Sequence, residues 1–223
     1  MDQLGAELWG FLGCMLLLAA YELFRWSKVR GDRFYTVQGV NAAARAAWVH
    51  SIMTTPGKDI LAVQTLRNAI MGPTFLASTA VLLMLGVLSL SGQSDKLETT
   101  WHSLNIFGSS HPSLWTLKVV FLLLDLFLAF FSFTLAIRLF IHVGFMINVP
   151  ETLRHRTISP DHVALHLNRA GSWHSIGVRA YYYSVPLVFS LFGPLLMLIA
   201  TVLLIAVLFS IDRSPKVLAD DFR

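Results

Sequence analysis

Cysteine, charge and chemical motifs are the scarce commodities of this sequence, and each scarcity excludes something. Cys14 is the single cysteine among 223 residues, and it lies inside an apolar run. An intrachain disulfide is therefore excluded, and a lone thiolate cannot build a zinc or iron–sulfur site of the usual kind. Only 13% of the residues are Asp, Glu, Lys or Arg, against roughly 25% in an average soluble chain. The deficit is local, because the charges gather in a few segments and leave long uncharged runs between them. With a hydrophobic fraction of 55%, that pattern is the mark of an integral membrane protein. No phosphate-binding glycine loop, nucleophile elbow, metalloprotease helix or Glu-x-x-His pair occurs. The sequence thus predicts no enzyme activity, no metal and no cofactor. A pI near 9.5 does not imply nucleic acid either, since the basic residues flank apolar runs without interleaved aromatics.

Four runs, at about residues 5–25, 69–91, 116–147 and 180–211, reach the roughly 20 residues that cross a bilayer core about 30 Å thick. They predict an all-α integral membrane fold of four transmembrane helices in one membrane domain, with the lipid bilayer as its surroundings. The opening "MDQLGAELWG" carries acids and no Lys or Arg, so the first run is expected as a retained helix rather than a cleaved signal. Arg25, Lys28, Arg30, Arg33, Arg45 and Lys58 fall between the first two runs, and Arg154, Arg156, Arg169 and Arg179 between the last two. The middle loop offers Lys96 and Lys118, and the tail Arg213, Lys216 and Arg223 beside Asp212, Asp220 and Asp221. Basic residues accumulate on cytoplasmic loops. The expected topology is N-out and C-out in a bacterial inner (plasma) membrane. Trp9, Trp101 and Trp115 would mark the outer boundary, and Trp26, Trp48 and Trp173 the inner one.

The cytoplasmic connections read as helices. "VQGVNAAARAAWVHSIM" places Val40, Ala44, Trp48 and Ile52 at helical spacing and stops at "TTPGKD". In "ISPDHVALHLNRAGSW", Ser159 suits an N-cap, Pro160 the first helical position and Gly171 a helix end. "RAAWVHSI" (45–52) and "RAGSWHSI" (169–176) each precede an outward run, and "YELF" (21–24) and "IRLF" (137–140) each close an inward one. Two readings fit: a parallel internal repeat of two spans each, or chance similarity in an Ala- and aromatic-rich chain.

The polar residues at the ends of the runs form the candidate site. "VQTLRN" (63–68) places Gln64, Arg67 and Asn68 on one helix face, and Pro73 follows where a kink is expected. Glu22 ends the first run, Arg138 and His142 are spaced i, i+4 near the end of the third, and Arg179 opens the fourth beside Tyr181, Tyr182 and Tyr183. These residues suggest a shared cytoplasmic-side polar layer, in which Glu22 would neutralise Arg67 or Arg138. Asp125, about nine residues into the third run, is an intramembrane carboxylate and a functional candidate by default. The alternative is a protonated Asp125 bonded to Ser78 or Thr79. Its face carries Lys118, Ala129, Ser132 and Ala136, a small-residue stripe suited to close packing. Only His142 lies clearly in a span, which disfavours a bis-His haem. His162 and His166 could hold a metal at i, i+4 but read better as a solvated face, and His102 and His111 have no matched spacing.

"NAAARAAWVHSIM", "LAVQTLRNAIMGPTFLAST" and "NRAGSWHSIGVRAYYYSVPLVFSLFGPLLM" together resemble an uncharacterised membrane family of bacteria and plants, the domain of unknown function numbered 599. The resemblance implies a multi-pass membrane protein and carries no catalytic residue or ligand. Function is read from the residues alone: a homo-oligomeric channel- or transporter-like protein for a small solute or ion. Its competitors are an accessory or scaffold subunit bound to another membrane protein and, third, a haem or metal redox protein.

Overall fold

The computed structural model describes residues 2–91, 112–150 and 158–214. Among them are six α-helices and no strand: α1 (Asp2–Gly31), α2 (Val37–Thr54), α3 (Asp59–Ser91), α4 (Pro112–Ile147), α5 (Pro160–Ser190) and α6 (Pro194–Asp212). Four of them are long and apolar enough to cross a membrane, over Glu7–Gly31, Asp59–Ser91, Ser113–Ile147 and Pro194–Asp212. Many large apolar side chains on these helices face outward, among them Leu16, Leu82, Leu124 and Leu203. Their surroundings must be hydrocarbon rather than water. The all-α membrane architecture is as expected. Trp101, Lys96, His102 and His111 lie outside the described residues.

The helices cluster into two compact units. The first comprises residues 1–32, 81–128 and 179–213, the second residues 33–80, 129–178 and 214–223. In the first unit, α1 and α6 run parallel. A side chain at Gly10 would meet Pro194 at 3.0 Å, Cys14 reaches Thr201, and the Tyr21 hydroxyl donates to Asp212 at 2.8 Å. Helix α4 is also parallel to α1, because Lys118 pairs with Glu7 and Phe121 meets Phe11 edge-on at 5.5 Å.

This arrangement corrects two expectations. The fourth apolar run is not a single span. Residues 180–190 finish α5, the chain turns at Leu191–Gly193, and α6 comes back beside it. Gly193 takes a φ of 130°, open only to glycine, and Pro194 then starts the new helix at a position that needs no N–H donor. Moreover, with α6 parallel to α1, its C-terminal end lies at the same end of the unit as the end of α1. The start of α1 and the end of α6 therefore lie at opposite ends of this unit, an arrangement that the expected N-out and C-out topology does not anticipate.

In the second unit, the apolar faces of α2, α3, α4 and α5 close a core of Val49, Ile52, Leu66, Phe140, Val143, Val163 and Leu167, among others. The buried stripe of α2 is Val40, Val49, Ile52 and Met53, whereas Ala44 is exposed. Trp48 and Trp173 pack on this core, while Trp9 and Trp26 stay exposed as membrane-boundary residues do. Ser159 caps α5 by accepting from the His162 N–H at 3.2 Å.

Gly171 does not end that helix. A side chain there would lie 2.7 Å from the Arg45 guanidinium, so the glycine opens a seat for Arg45, which donates to Asn168 at 2.9 Å. As a result "RAGSWHSI" runs unbroken into residues 177–190, whereas "RAAWVHSI" stops at the Thr55–Lys58 break. The helix boundaries give the repeat no support. Pro73 sits inside a continuous α3.

Candidate functional site

The expected layer divides. Glu22 and Arg179 do come together, within the first unit. Arg179 Nη1 donates to Glu22 Oε1 at 2.6 Å and its Nη2 pairs with Asp212. Tyr183 also donates to Glu22, and Arg25 grips the other carboxylate oxygen from one turn along α1, at 2.7 and 2.9 Å. Tyr21 completes the group through Asp212. Two carboxylates thus face two guanidiniums, the assembly is neutral, and α1, α5 and α6 are tied at one point. Mutual pairing with additional hydrogen bonds is what lets charges persist away from water. Arg179 is 14% exposed. A forked donor is required here, since one guanidinium bridges carboxylates from two helices.

Gln64, Arg67, Asn68, Arg138 and His142 do not join this network. All five side chains are exposed. Ala62 and Leu66 take the buried face of α3 instead, and this rotates the polar triplet outward. Glu22 therefore pairs with neither Arg67 nor Arg138. Arg67 lies in a groove between α3 and α4 with a volume of about 770 Å³, lined mainly by apolar side chains.

Asp125 is largely buried, and its Oδ2 has no hydrogen-bond partner among the described residues. Ser78 and Thr79 each donate to a carbonyl of their own helix. The stripe on its face is buried as expected, with Lys118 at 6% exposure and Ala129, Ser132 and Ala136 at 0%. Lys118 is paired with Glu7, a partnership that sequence spacing across separate helices does not reveal. Tyr21 and Asp212 were missed for the same reason. Asp212 reads as part of the tail in sequence, and the signal that points to its true place is the "GP" at 193–194 that folds α6 back.

The charged groups of the first unit thereby occupy three levels. Glu7 and Lys118 form one. Asp125 lies seven residues further along α4, or about 10 Å at 1.5 Å per residue. The Glu22 network lies fifteen residues beyond Glu7 on α1, or about 22 Å. Asp125 is therefore close to midway.

The second unit holds a separate histidine cluster, in which His162 and His166 lie outside the four spans and His142 near the end of α4. His166 Nε2 lies 3.1 Å from His162 Nε2, and the His142 ring meets His166 edge-on at 5.4 Å. Burial, then His162, His142 and Arg169, hold the His166 pKa below the ordinary imidazole value. His174 is likewise depressed by burial and by Arg45, and burial lowers Arg45 itself. Among the described residues, no group of three or more His, Cys, Asp or Glu side chains has the geometry to hold a metal ion.

No curated protein and no solved structure matches the chain. One family model does, over residues 10–217, which include all three charged levels except Glu7. The chain belongs to the membrane family described as "Protein of unknown function, DUF599".

Proposed function

We propose that this protein moves a small ion or solute across a bacterial plasma membrane, with its N-terminus outside and the end of α6 in the cytoplasm. The observation that carries this reading is the ladder of charged groups through the first unit, with the partnerless Asp125 oxygen at its middle. Ionisable groups within spans are costly, and they mark ion pathways by default. A carboxylate with one unfilled oxygen is the group in the ladder that is free to take and release a proton or cation. Glu7–Lys118 and the Glu22–Arg179–Asp212 network, both fully paired, frame it. The orientation draws support from charge. With the end of α6 beside the end of α1, Arg213 joins the basic residues Arg25, Lys28 and Arg30 at one end of the unit, the end that the charge rule assigns to the cytoplasm. Nothing in the ladder is arranged as nucleophile and base, and the proposal is for a non-enzymatic protein.

The test is tracer or electrical flux through purified protein in liposomes. Wild type should conduct at least one small ion above the empty-liposome background. Asp125→Asn should lose most of that flux while melting at nearly the same temperature. Flux at background for every ion, or an unaltered Asp125→Asn, would sink the reading.

A second reading, an oligomeric or accessory subunit, is favoured by Arg138. Its guanidinium is exposed on the outside of a spanning helix, where a carboxylate on a neighbouring helix would neutralise it. Crosslinking from a cysteine at Ile141 separates the cases. Capture of an unlike membrane protein supports an accessory role, capture of a second copy supports a homo-oligomer, and no capture removes this reading.

A further inference from the structure

The groove between α3 and α4 belongs entirely to the second unit and has a marked polarity along its length. Its long wall is apolar: Ile70, Met71, Phe75, Phe140 and Ile141 line it, with Phe75 74% exposed. The two hydroxyls in this wall have no proton left for an anion, because Thr74 donates to the Ile70 carbonyl at 2.8 Å and Ser78 to the Thr74 carbonyl at 3.1 Å. The polar lining that remains is Arg67 and Asn148, toward the end where α3 begins and α4 finishes. Among the described residues no carboxylate pairs with Arg67. Gly144 keeps the groove open, since a side chain there would meet nothing closer than Leu66 Cδ1 at 3.9 Å.

We infer that this groove is a binding site for one anionic phospholipid, with the phosphate on Arg67 and Asn148 and an acyl chain lying along Ile70 to Ser78. Three observations fit that occupant. The groove lies on helices long and apolar enough to cross a membrane, so hydrocarbon is what surrounds it. Its lone cation stands at one end and its apolar wall extends from there, which is the charge distribution of a phospholipid in reverse. The length also matches. Arg67 and Ser78 are eleven residues apart on α3, or about 16 Å, and one leaflet is half of a core about 30 Å thick. Arg67 would then stand at the headgroup level and Ser78 near the bilayer middle. Gln64, one turn before Arg67, and Asn68, the residue after it, are also exposed and would stand in the polar headgroup region, where amide side chains remain hydrated.

The experiment is native mass spectrometry of the full chain, delipidated and then equilibrated with phosphatidylglycerol and phosphatidylcholine of identical acyl chains. Wild type should retain one phosphatidylglycerol in preference to phosphatidylcholine by about fivefold, the effect of one cation near an anionic headgroup. Arg67→Gln should bring that preference close to parity, while Arg33→Gln, an exposed cation away from the groove, should leave it unchanged. Gly144→Leu fills the groove and should reduce retention of both lipids. A wild type that retains the two lipids equally would overturn the inference. So would an Arg67→Gln variant with the wild-type preference, or a groove closed by a second copy with no lipid held.

Discussion

Arg67 and Arg179 look alike in sequence, each at the start of an apolar run, and the folded chain treats them in opposite ways. Arg179 bridges Glu22 and Asp212 while mostly buried. Removing one member of such a group leaves the others unpaired, at about 3–5 kcal/mol. Arg179→Leu should therefore lower the melting temperature in detergent strongly. Arg179→Lys should recover only part of the loss, because an ammonium cannot fork between two carboxylates. Arg67→Leu should change stability by no more than about 0.5 kcal/mol, as expected for an exposed position. Equal melting of the Arg67 and Arg179 variants would refute this distinction. Glu22, Arg179 and Asp125 were legible in the sequence because a charge in or beside an apolar run needs a partner or a purpose. The outward turn of Gln64, Arg67 and Asn68 was not legible, since their spacing shows that they share a face and not which way it points. Ala62 and Leu66 decide that by packing on α4 and α5.

Among the elements, α5 shows best why boundaries resist sequence reading. It contains two glycines that do not end it, and each makes room for a neighbour. A side chain at Gly171 would strike the far end of Arg45, whereas one at Gly177 would strike the Phe133 ring at 2.7 Å. Phe133 is fully buried and cannot move aside, while Arg45 can. Gly177→Ala should thus cost about 1–3 kcal/mol by overpacking, and Gly171→Ala less, as chemical denaturation in a single detergent would measure. Similar melting of the two variants would contradict that order. The same helix carries His174, whose pKa is lowered by burial and by Arg45, with Phe133 against its ring. Its pKa is lowered in the folded state, so the unfolded chain binds the proton more readily. This stabilisation is complete above the ordinary value of about 6.5 and is lost as pH falls below it. His174→Phe should flatten the decline in melting temperature below that pH; an unchanged slope would remove His174 from the account. The sequence also could not distinguish Gly72–Pro73 from Gly193–Pro194. The first dipeptide lies within a continuous helix, while the second turns the chain because Gly193 adopts a positive φ.

At the scale of the whole molecule, composition alone identified an all-α membrane protein, because the spacing of charge-free runs reflects bilayer thickness directly. The path of the last quarter escaped it. An apolar run that reads as one span contains a turn, and the direction of α6 follows from contacts to α1 that no local pattern encodes. That direction is central, since it carries Asp212 to Arg179 and the tail back to Tyr35, whose carbonyl accepts from the Ser214 N–H at 3.1 Å. The most direct test uses Cys14, the only native cysteine, replaced by Ser to give a thiol-free background. Single cysteines at Gly31, Leu191 and Ser214 are then labelled with a membrane-impermeant maleimide in right-side-out and inverted vesicles. The account predicts that Gly31→Cys and Ser214→Cys react from the same side of the membrane and Leu191→Cys from the other. Labelling of Gly31→Cys and Ser214→Cys from opposite sides would contradict it.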